Sequence, residues 1–320
     1  MTLHRFVFFL AVLLSGSSLG QSFPAKPVRF VVGFTPGGPS DILARALGQK
    51  LAERSGQQVV IENRPGAGGN LAAEAVAKSA PDGLTWLLGN NSILATNQSL
   101  YRNLPYDPVR DFLPVALVAV QPNILVVVPG LSVFSVKDLI AMAKANPGKL
   151  NYASSGAGAA AHLAGELFKA MAGVDIVHVP YKGAQPALTD VIAGQVQLMF
   201  ATSASVIPYV KAGRLRALAV TTAQRSASVP ELPTVAEAGV PGFEATTWHG
   251  VVVVAGTAMP LIQSLNENIN AVLKEKELRE RFNGLGAEIL TGSPQDFASF
   301  IAREIPKWAK VVKDSGAKPE

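Results

Sequence analysis

Apolar runs of five to eight residues alternate with amphipathic helical patterns along most of this 320-residue chain, and that alternation admits few folds. Runs too short for a helix and bounded by turn residues read as strands buried on both faces; joined through helices, such strands lie parallel in a sheet. VRFVVGF (28–34) reads as one, after which Ile42, Leu43, Ala46, Leu47 and Leu51 fall on one helix face. QVVIEN (58–63) and TWLLGN (85–90) are the next strands. NILVVVPG (123–130) opens a second set: helix 135–145, strand 150–155, helix 160–171, strand 175–181, helix 184–193, then strands 196–201 and 215–221. GVVVVAG (250–256) returns as a strand before two helices that begin at Pro260 and Pro294.

One unit occurs twice. Strand, Gly/Ser turn and helix at 28–53 come back at 149–172, which predicts two α/β blocks facing each other across a cleft. The expected fold class is therefore α/β, a two-lobed periplasmic binding protein fold of the type II-like kind. Gln121-Pro122 and Pro241-Gly242 interrupt the pattern. The first lobe is expected to take 21–122 plus 246–320 and the second 123–245, with two chain crossings as the hinge.

The first twenty residues have the layout of an export signal. Basic His4 and Arg5 precede the apolar run 6–14, and small polar residues end at Ser18-Leu19-Gly20, where cleavage into the periplasm is expected. The run is far short of the roughly 18–20 apolar residues a membrane span needs. Of 28 Lys and Arg, Arg5 leaves with the signal, so against 23 acidic residues the mature chain carries +4. No dense Lys/Arg tract is interleaved with aromatics, so nucleic acid is not an expected partner. Cysteine is absent, which excludes disulfides, thiolate metal sites and thiol nucleophiles. Stability must then come from a large core, which 48% hydrophobic residues can supply.

The chemistry concentrates in two turns. Thr35-Pro36-Gly37-Gly38-Pro39-Ser40-Asp41 lacks the Gly-Lys-Ser/Thr of a phosphate loop and the Gly-x-Gly-x-x-Gly of a dinucleotide site. It is either a plain tight turn or a place where a helix start holds an anion on unpaired amides. YASSGAGAAAHLAGE (152–166) repeats the device, which favours the anion. Neither turn carries Lys or Arg, so neutral hydroxyls and amides, those of Gly37 and Gly38 among them, are expected to do the holding. Each charge-assisted bond contributes roughly 1.5–3 kcal/mol. About four to six of them, less an association cost of at least ~4 kcal/mol, give about micromolar affinity. Asp41 would repel a carboxylate unless a water or a ligand donor intervened.

Other chemistry finds less support. His162 and Glu166 share a helix face, but one such pair without His-Glu-x-x-His reads as structure or pocket wall rather than as a metal site. No Gly-x-Ser-x-Gly elbow occurs, and Ser154-Ser155 near His162 lack a third member. The charged helix 266–281 reads as a solvated face. No cofactor and no metal are expected.

Several stretches together resemble one family. They are PGGPSDILAR (36–45), VVIENRPGAGGNLAAEAVAKSAPDG (59–83), LPYDPVRDFLPV (104–115), NPGKLNYASSGAGAAAHLAGELF (146–168), VHVPYKGAQPALTDVIAGQVQLMF (177–200), KAGRLRALAVTT (211–222) and LPTVAEAGVPGFE (232–244). The chain they span is similar to the substrate-binding receptors of tripartite tricarboxylate transporters, the Bug family. The resemblance implies a receptor without turnover that closes two lobes over a small carboxylate and serves membrane transporter subunits or a sensor kinase. It implies a first cradle of Thr35, Pro36, Gly37, Gly38 and Asp41, and a second of Ser154, Ser155, Gly156, Ala157, Gly158, Ala160 and His162.

This sequence departs from the family at two places. Ala159-Ala160-Ala161 replace serines common in relatives, and Ala201 stands where many have Asp. A less polar acid than citrate or aspartate is therefore expected, an aromatic one included, with Trp248 or Phe34 as a stacking wall. A monomer is expected. The rival reading is an exported hydrolase or lyase acting on carboxylates.

Overall fold

The computed structural model describes residues 26–226, 228–315, 317 and 318; the expected signal 1–20 and the mature start at Gln21 lie outside the described residues. The chain runs β1 (Val28–Val32), α1 (Pro39–Ser55), β2 (Val59–Asn63), α2 (Asn70–Ala77) and β3 (Thr85–Asn90). A π-helical turn (Ser92–Thr96) leads into α3 (Asn97–Leu100) and then β4 (Phe112–Val127). Next come α4 (Val136–Ala145), β5 (Asn151–Ser154), α5 (Ala160–Ala172), β6 (Val177–Pro180), α6 (Ala184–Ile192), β7 (Leu198–Thr202), α7 (Ser203–Lys211) and β8 (Arg216–Val220). The last elements are β9 (Thr246–Val254), α8 (Met259–Leu273), α9 (Lys276–Gly284), β10 (Glu288–Ile289) and α10 (Pro294–Ser315).

The repeated unit of the sequence appears as two parallel strand sets. β1 lies between β2 and β3, and β5 between β6 and β7. In the first lobe β3 and β9 are buried along their whole length. Leu43 and Leu47 of α1, Ile262 and Ile269 of α8 and Phe282 of α9 cover one face of that sheet. Ala72 and Val76 of α2 with Phe297, Ile301 and Trp308 of α10 cover the other. That two-sided burial is why its strands read as continuous apolar runs.

β4 joins the lobes. Up to Pro122 it pairs antiparallel with β9, and Ala119 and Val120 also pair with β10. From Asn123 the same strand pairs with β7 and β8. The sequence reading breaks the pattern at Pro122 and starts a strand at Asn123; the structure runs one strand of 16 residues through it. The register slips between Pro114 and Ala116 and again between Leu117 and Ala119, and Pro122 stands where the partner changes. A proline's missing N–H is tolerated at such irregularities. The reading also misses the π-helical turn, α7 and β10, and it fuses α8 with α9. Glu275 is extended between them, which turns α9 so that Leu278 and Phe282 reach the core.

The chain leaves the first strand set at 122–123 and returns at 245–246, and the two passages are bonded side by side. The Asn123 amide donates to Thr221 Oγ1 at 3.1 Å and its Nδ2 to the Ala245 carbonyl at 3.2 Å. Its Oδ1 accepts the Thr247 hydroxyl at 3.0 Å, and the Ala245 amide donates to the Thr221 carbonyl at 2.8 Å. Among the described residues no helix is long and apolar enough to cross a membrane.

Gly250, inside β9, lets α10 approach the sheet. A Cβ there would lie 2.2 Å from Phe297 Cζ and 2.9 Å from the Ala116 carbonyl oxygen. Gly250→Ala is expected to destabilise the protein by about 1–3 kcal/mol, seen as a lower urea midpoint at an unchanged slope.

Candidate functional site

Between the lobes lies a cavity of about 60 Å³. The first lobe lines it with Phe34, Thr35, Gly38, Pro39 and Ser40 from the β1–α1 turn, with Asn90 and Ser92 beyond β3, and with Thr247 and His249 of β9. The second lobe adds Ser155 and Ala159 to Ala161 from the β5–α5 turn, Ala184, Met199 to Thr202 on β7, and Ser205. Asn123 stands between the two sets. No Asp, Glu, Lys or Arg lines the space. Instead α1, the π-helical turn, α5, α6 and α7 all begin at its wall. The unpaired amides and positive dipole ends of several helices thus face an uncharged cavity, an arrangement that favours an anion.

The first turn is braced from within. Pro39 opens α1, where its missing N–H costs nothing. Gly37, at φ +78°, donates its amide to Asp41 Oδ2 at 2.9 Å, and the Gly38 amide reaches the Thr35 carbonyl at 3.3 Å. The expectation that these two amides hold a carboxylate therefore needs correction, because both are committed inside the turn. The amides of Ser40 and Asp41 follow in the first turn of α1, where a helix has no partner of its own for them. Pro36 and Gly37 are exposed and do not line the cavity. Asp41 is buried and points into its own turn, so it does not confront a ligand. Its Oδ2 also accepts Arg45 Nε and its Oδ1 accepts Asn63 Nδ2, both at 2.9 Å. Burial pushes its carboxyl upward, but the bonds from Arg45, Gly37 and Asn63 outweigh that and hold it below the usual range.

The second turn repeats the brace with a different side chain. The Gly158 amide donates to His162 Nδ1 at 3.0 Å, four residues on, as Gly37 does to Asp41. The Gly156 amide is held by Ser154 Oγ at 3.1 Å. Ser154, Gly156, Ala157, Gly158 and His162 thus shape the turn without lining the cavity, whereas Ser155 and Ala160 do line it. The pairing of Ser154 or Ser155 with His162 is not formed. The buried Ser154 Oγ meets His178 Nε2 at 2.6 Å. Glu166 does not face a metal with His162; its Oε1 accepts the Tyr152 hydroxyl at 2.6 Å and Lys169 Nζ at 3.0 Å. Among the described residues no three potential metal ligands come together.

Trp248 as a stacking wall is also corrected. Successive residues of a strand face opposite sides, and Trp248 falls on the α10 side. There it lies edge-on to Phe297 and Phe300 and donates Nε1 to Glu304 Oε2 at 2.8 Å. Its neighbours Thr247 and His249 consequently face the cavity, and the sequence reading overlooked both. Strict alternation through TTWHG was the signal that would have found them. Phe34 and Ala201 do line the cavity. Ser40 stood in the first turn without being named as a holding group, and Asn90, Ser92 and Asn123 carried no motif.

His249 is fully buried, its Nε2 lies 2.9 Å from Ser40 Oγ, and its Nδ1 has no protein partner among the described residues. Burial pushes it down to about 4. Burial, then the Lys169 charge, does the same to His162, also to about 4. Burial, His162 and Lys169 take His178 to about 3, with Glu166 partly offsetting them. All three rings are neutral at neutral pH.

Residues 43–317 match the family described as Tripartite tricarboxylate transporter family receptor. The chain belongs to this family. It is 39% identical to Protein BugT of Bordetella pertussis over 98% of its own length and 96% of that protein. Among solved structures, Rpa4515 of R. palustris with adipate has 44% identity and a TM-score of 0.90, covering 93% of this chain and 100% of that one. MatC from Rhodopseudomonas palustris with bound malate has 33% identity and a TM-score of 0.86, covering 91% and 100%. The family and the two-lobed fold class expected from the sequence both hold.

In this receptor the buried histidines set an acid limit. An unfolded histidine titrates near 6.5, above the folded values of about 4, 3 and 4 for His162, His178 and His249. Between those values the unfolded chain binds more protons, so the stability from neutral burial is fully present above about pH 6.5 and lost as pH falls through the folded values. The thermal midpoint is expected to drop steadily from pH 6.5 towards 4, measured by circular dichroism at constant ionic strength.

Proposed function

We propose that this chain is an exported receptor that captures a small carboxylate with a hydrocarbon body and presents it to the membrane subunits of a tripartite tricarboxylate transporter. The observation that carries this reading is a cavity between two lobes with no charged side chain and several helix starts at its wall. Amides and hydroxyls such as Ser40, Ser92 and Ser155 supply the anion's partners. Ala159 to Ala161, Ala184, Met199 and Ala201 supply an apolar wall. Adipate, bound by one relative, has carboxylates at both ends of a methylene chain and suits that division. An amino acid suits it poorly, because no carboxylate lines the cavity to pair with its ammonium and an unpaired buried charge is costly.

Closure is inferred to pivot where β4 changes partners, with lobes of 21–122 plus 246–320 and 123–245. The contacts across the cleft support a closed form: Ser92 Oγ donates to the Gly158 carbonyl at 2.9 Å, and Gln185 Nε2 reaches the Gly37 carbonyl at 3.4 Å. Solution scattering is expected to show a smaller radius when adipate saturates the protein. A sensor kinase in place of the transporter is the alternative recipient. A hydrolase fits less well. Ser40 and His249 form a Ser–His pair at the cavity, but no carboxylate orients the imidazole, since Nδ1 has no protein partner among the described residues.

Calorimetry with adipate, malate and aspartate tests this reading. Adipate is expected to bind near micromolar, and aspartate at least about tenfold more weakly. Ser40→Ala should weaken adipate by about 1–2 kcal/mol, some five- to thirtyfold in Kd. Ala201→Asp should weaken it further by placing a like charge in the cavity. Product formation from a bound acid, or a preference for aspartate, would overturn the proposal. Mass spectrometry of the periplasmic fraction is expected to find a chain that begins at Gln21.

A further inference from the structure

Beneath the second turn and outside the cavity lies a cluster that ligand capture, as described, does not use. The rings of His162 on α5 and His178 on β6 stack with centroids 4.0 Å apart and planes 15° from parallel. Tyr152 of β5 stacks on His178 at 5.0 Å. Gly165 makes room for it, since a Cβ there would sit 2.3 Å from the Tyr152 ring. The imidazole pair grips both ends of one turn. His178 meets Ser154 Oγ, which is bonded to the amide and the carbonyl of Gly156, while His162 Nδ1 accepts the Gly158 amide.

Gly158 is also where this turn touches the other lobe. Its carbonyl accepts the Ser92 hydroxyl, and it packs so tightly that a Cβ would lie 2.5 Å from Leu100 Cδ2 and 3.1 Å from Asn97 Oδ1. One residue therefore carries two bonds of opposite sense. Its N–H is fixed by an imidazole in its own lobe, and its C=O is aimed at a hydroxyl across the cleft.

We propose that His162 is a positioning residue for lobe closure, its bare Nδ1 fixing the Gly158 amide so that the Gly158 carbonyl meets Ser92, and that a proton on Nδ1 undoes this contact. A neutral imidazole that accepts at Nδ1 carries its hydrogen on Nε2. A second proton would set N–H against N–H. The charges that act on the ring come from its own helix, where Lys169 opposes protonation, and Glu166 is tied to Tyr152 and Lys169. On β5 the facing group is Tyr152 and on β6 it is His178; β7 brings no titratable side chain. On α10, Glu304 is taken by Trp248, Trp308 and Lys307. The proposal rests on the reading of the cavity as a site closed by two lobes, and its test is built to separate the two.

The full mature chain is compared with His162→Asn, whose Oδ1 replaces the Nδ1 acceptor but does not titrate, and with His162→Phe, which keeps a ring without the acceptor. Hydrogen exchange of the Gly158 amide, read by NMR without any ligand, should show protection in wild type and His162→Asn and about tenfold less in His162→Phe. Adipate affinity should follow the same order, about tenfold weaker in His162→Phe. As pH falls from 6.5 towards about 4, wild type should lose affinity beyond the loss seen in His162→Asn, which reports the titration of adipate itself. Equal Gly158 protection in all three proteins, or identical pH profiles for wild type and His162→Asn, overturns the proposal. If adipate binds none of them, exchange still decides the role of His162 and only the ligand reading falls. If His162→Phe does not fold, the wild-type and His162→Asn profiles decide alone.

Discussion

Hydrogen bonding of a single strand into both lobes is the constraint that orders this molecule. Residues 112–127 form one strand that passes from a ladder with β9 into ladders with β7 and β8, so a single stretch of backbone is bonded into both lobes. Backbone amides and carbonyls committed to a ladder cannot be exposed without loss, which leaves little freedom except where the partners change. Asn123 sits at that point, bonds to Thr221, Ala245 and Thr247, and also lines the cavity. Contact with a solute and the geometry of the crossing therefore meet in one side chain.

Each wall of the cavity depends on a glycine amide caught by the side chain four residues ahead. Asp41 catches Gly37, and His162 catches Gly158. The two side chains differ in charge, but the mechanics agree: the turn is locked without spending the next amides of the helix. Arg45 compensates the charge of Asp41, so the carboxylate stabilises its turn without opposing an anion. The second brace is neutral and lies in a stack of rings, so its strength depends on the protonation state of one nitrogen.

Most strands and helices were legible because their apolar periods are clean. The first half of β4 was not, since Pro114 and Pro122 argue against a central strand unless bulges and a partner change absorb them, and those are tertiary facts. Both turns were legible as strand-to-helix turns. The division of labour within them was not: which amides are spent on Asp41 and His162 depends on side-chain direction, which a glycine-rich string does not reveal. Trp248 drew attention as an aromatic, although strand alternation puts its polar neighbours on the cavity side. Ser92 and Asn123 lie about thirty residues apart in the chain and reach one cavity only through the sheet order β3-β9-β4.

The neutral lining has an evolutionary consequence. Where an anion is held by helix starts, its recognition is written in backbone geometry, and no single side-chain change at Ala159, Ala160, Ala161 or Ala201 removes it. A change at one of those positions leaves the helix starts in place and alters what the rest of a solute must look like, an acidic residue at the cost of a like charge beside the anion.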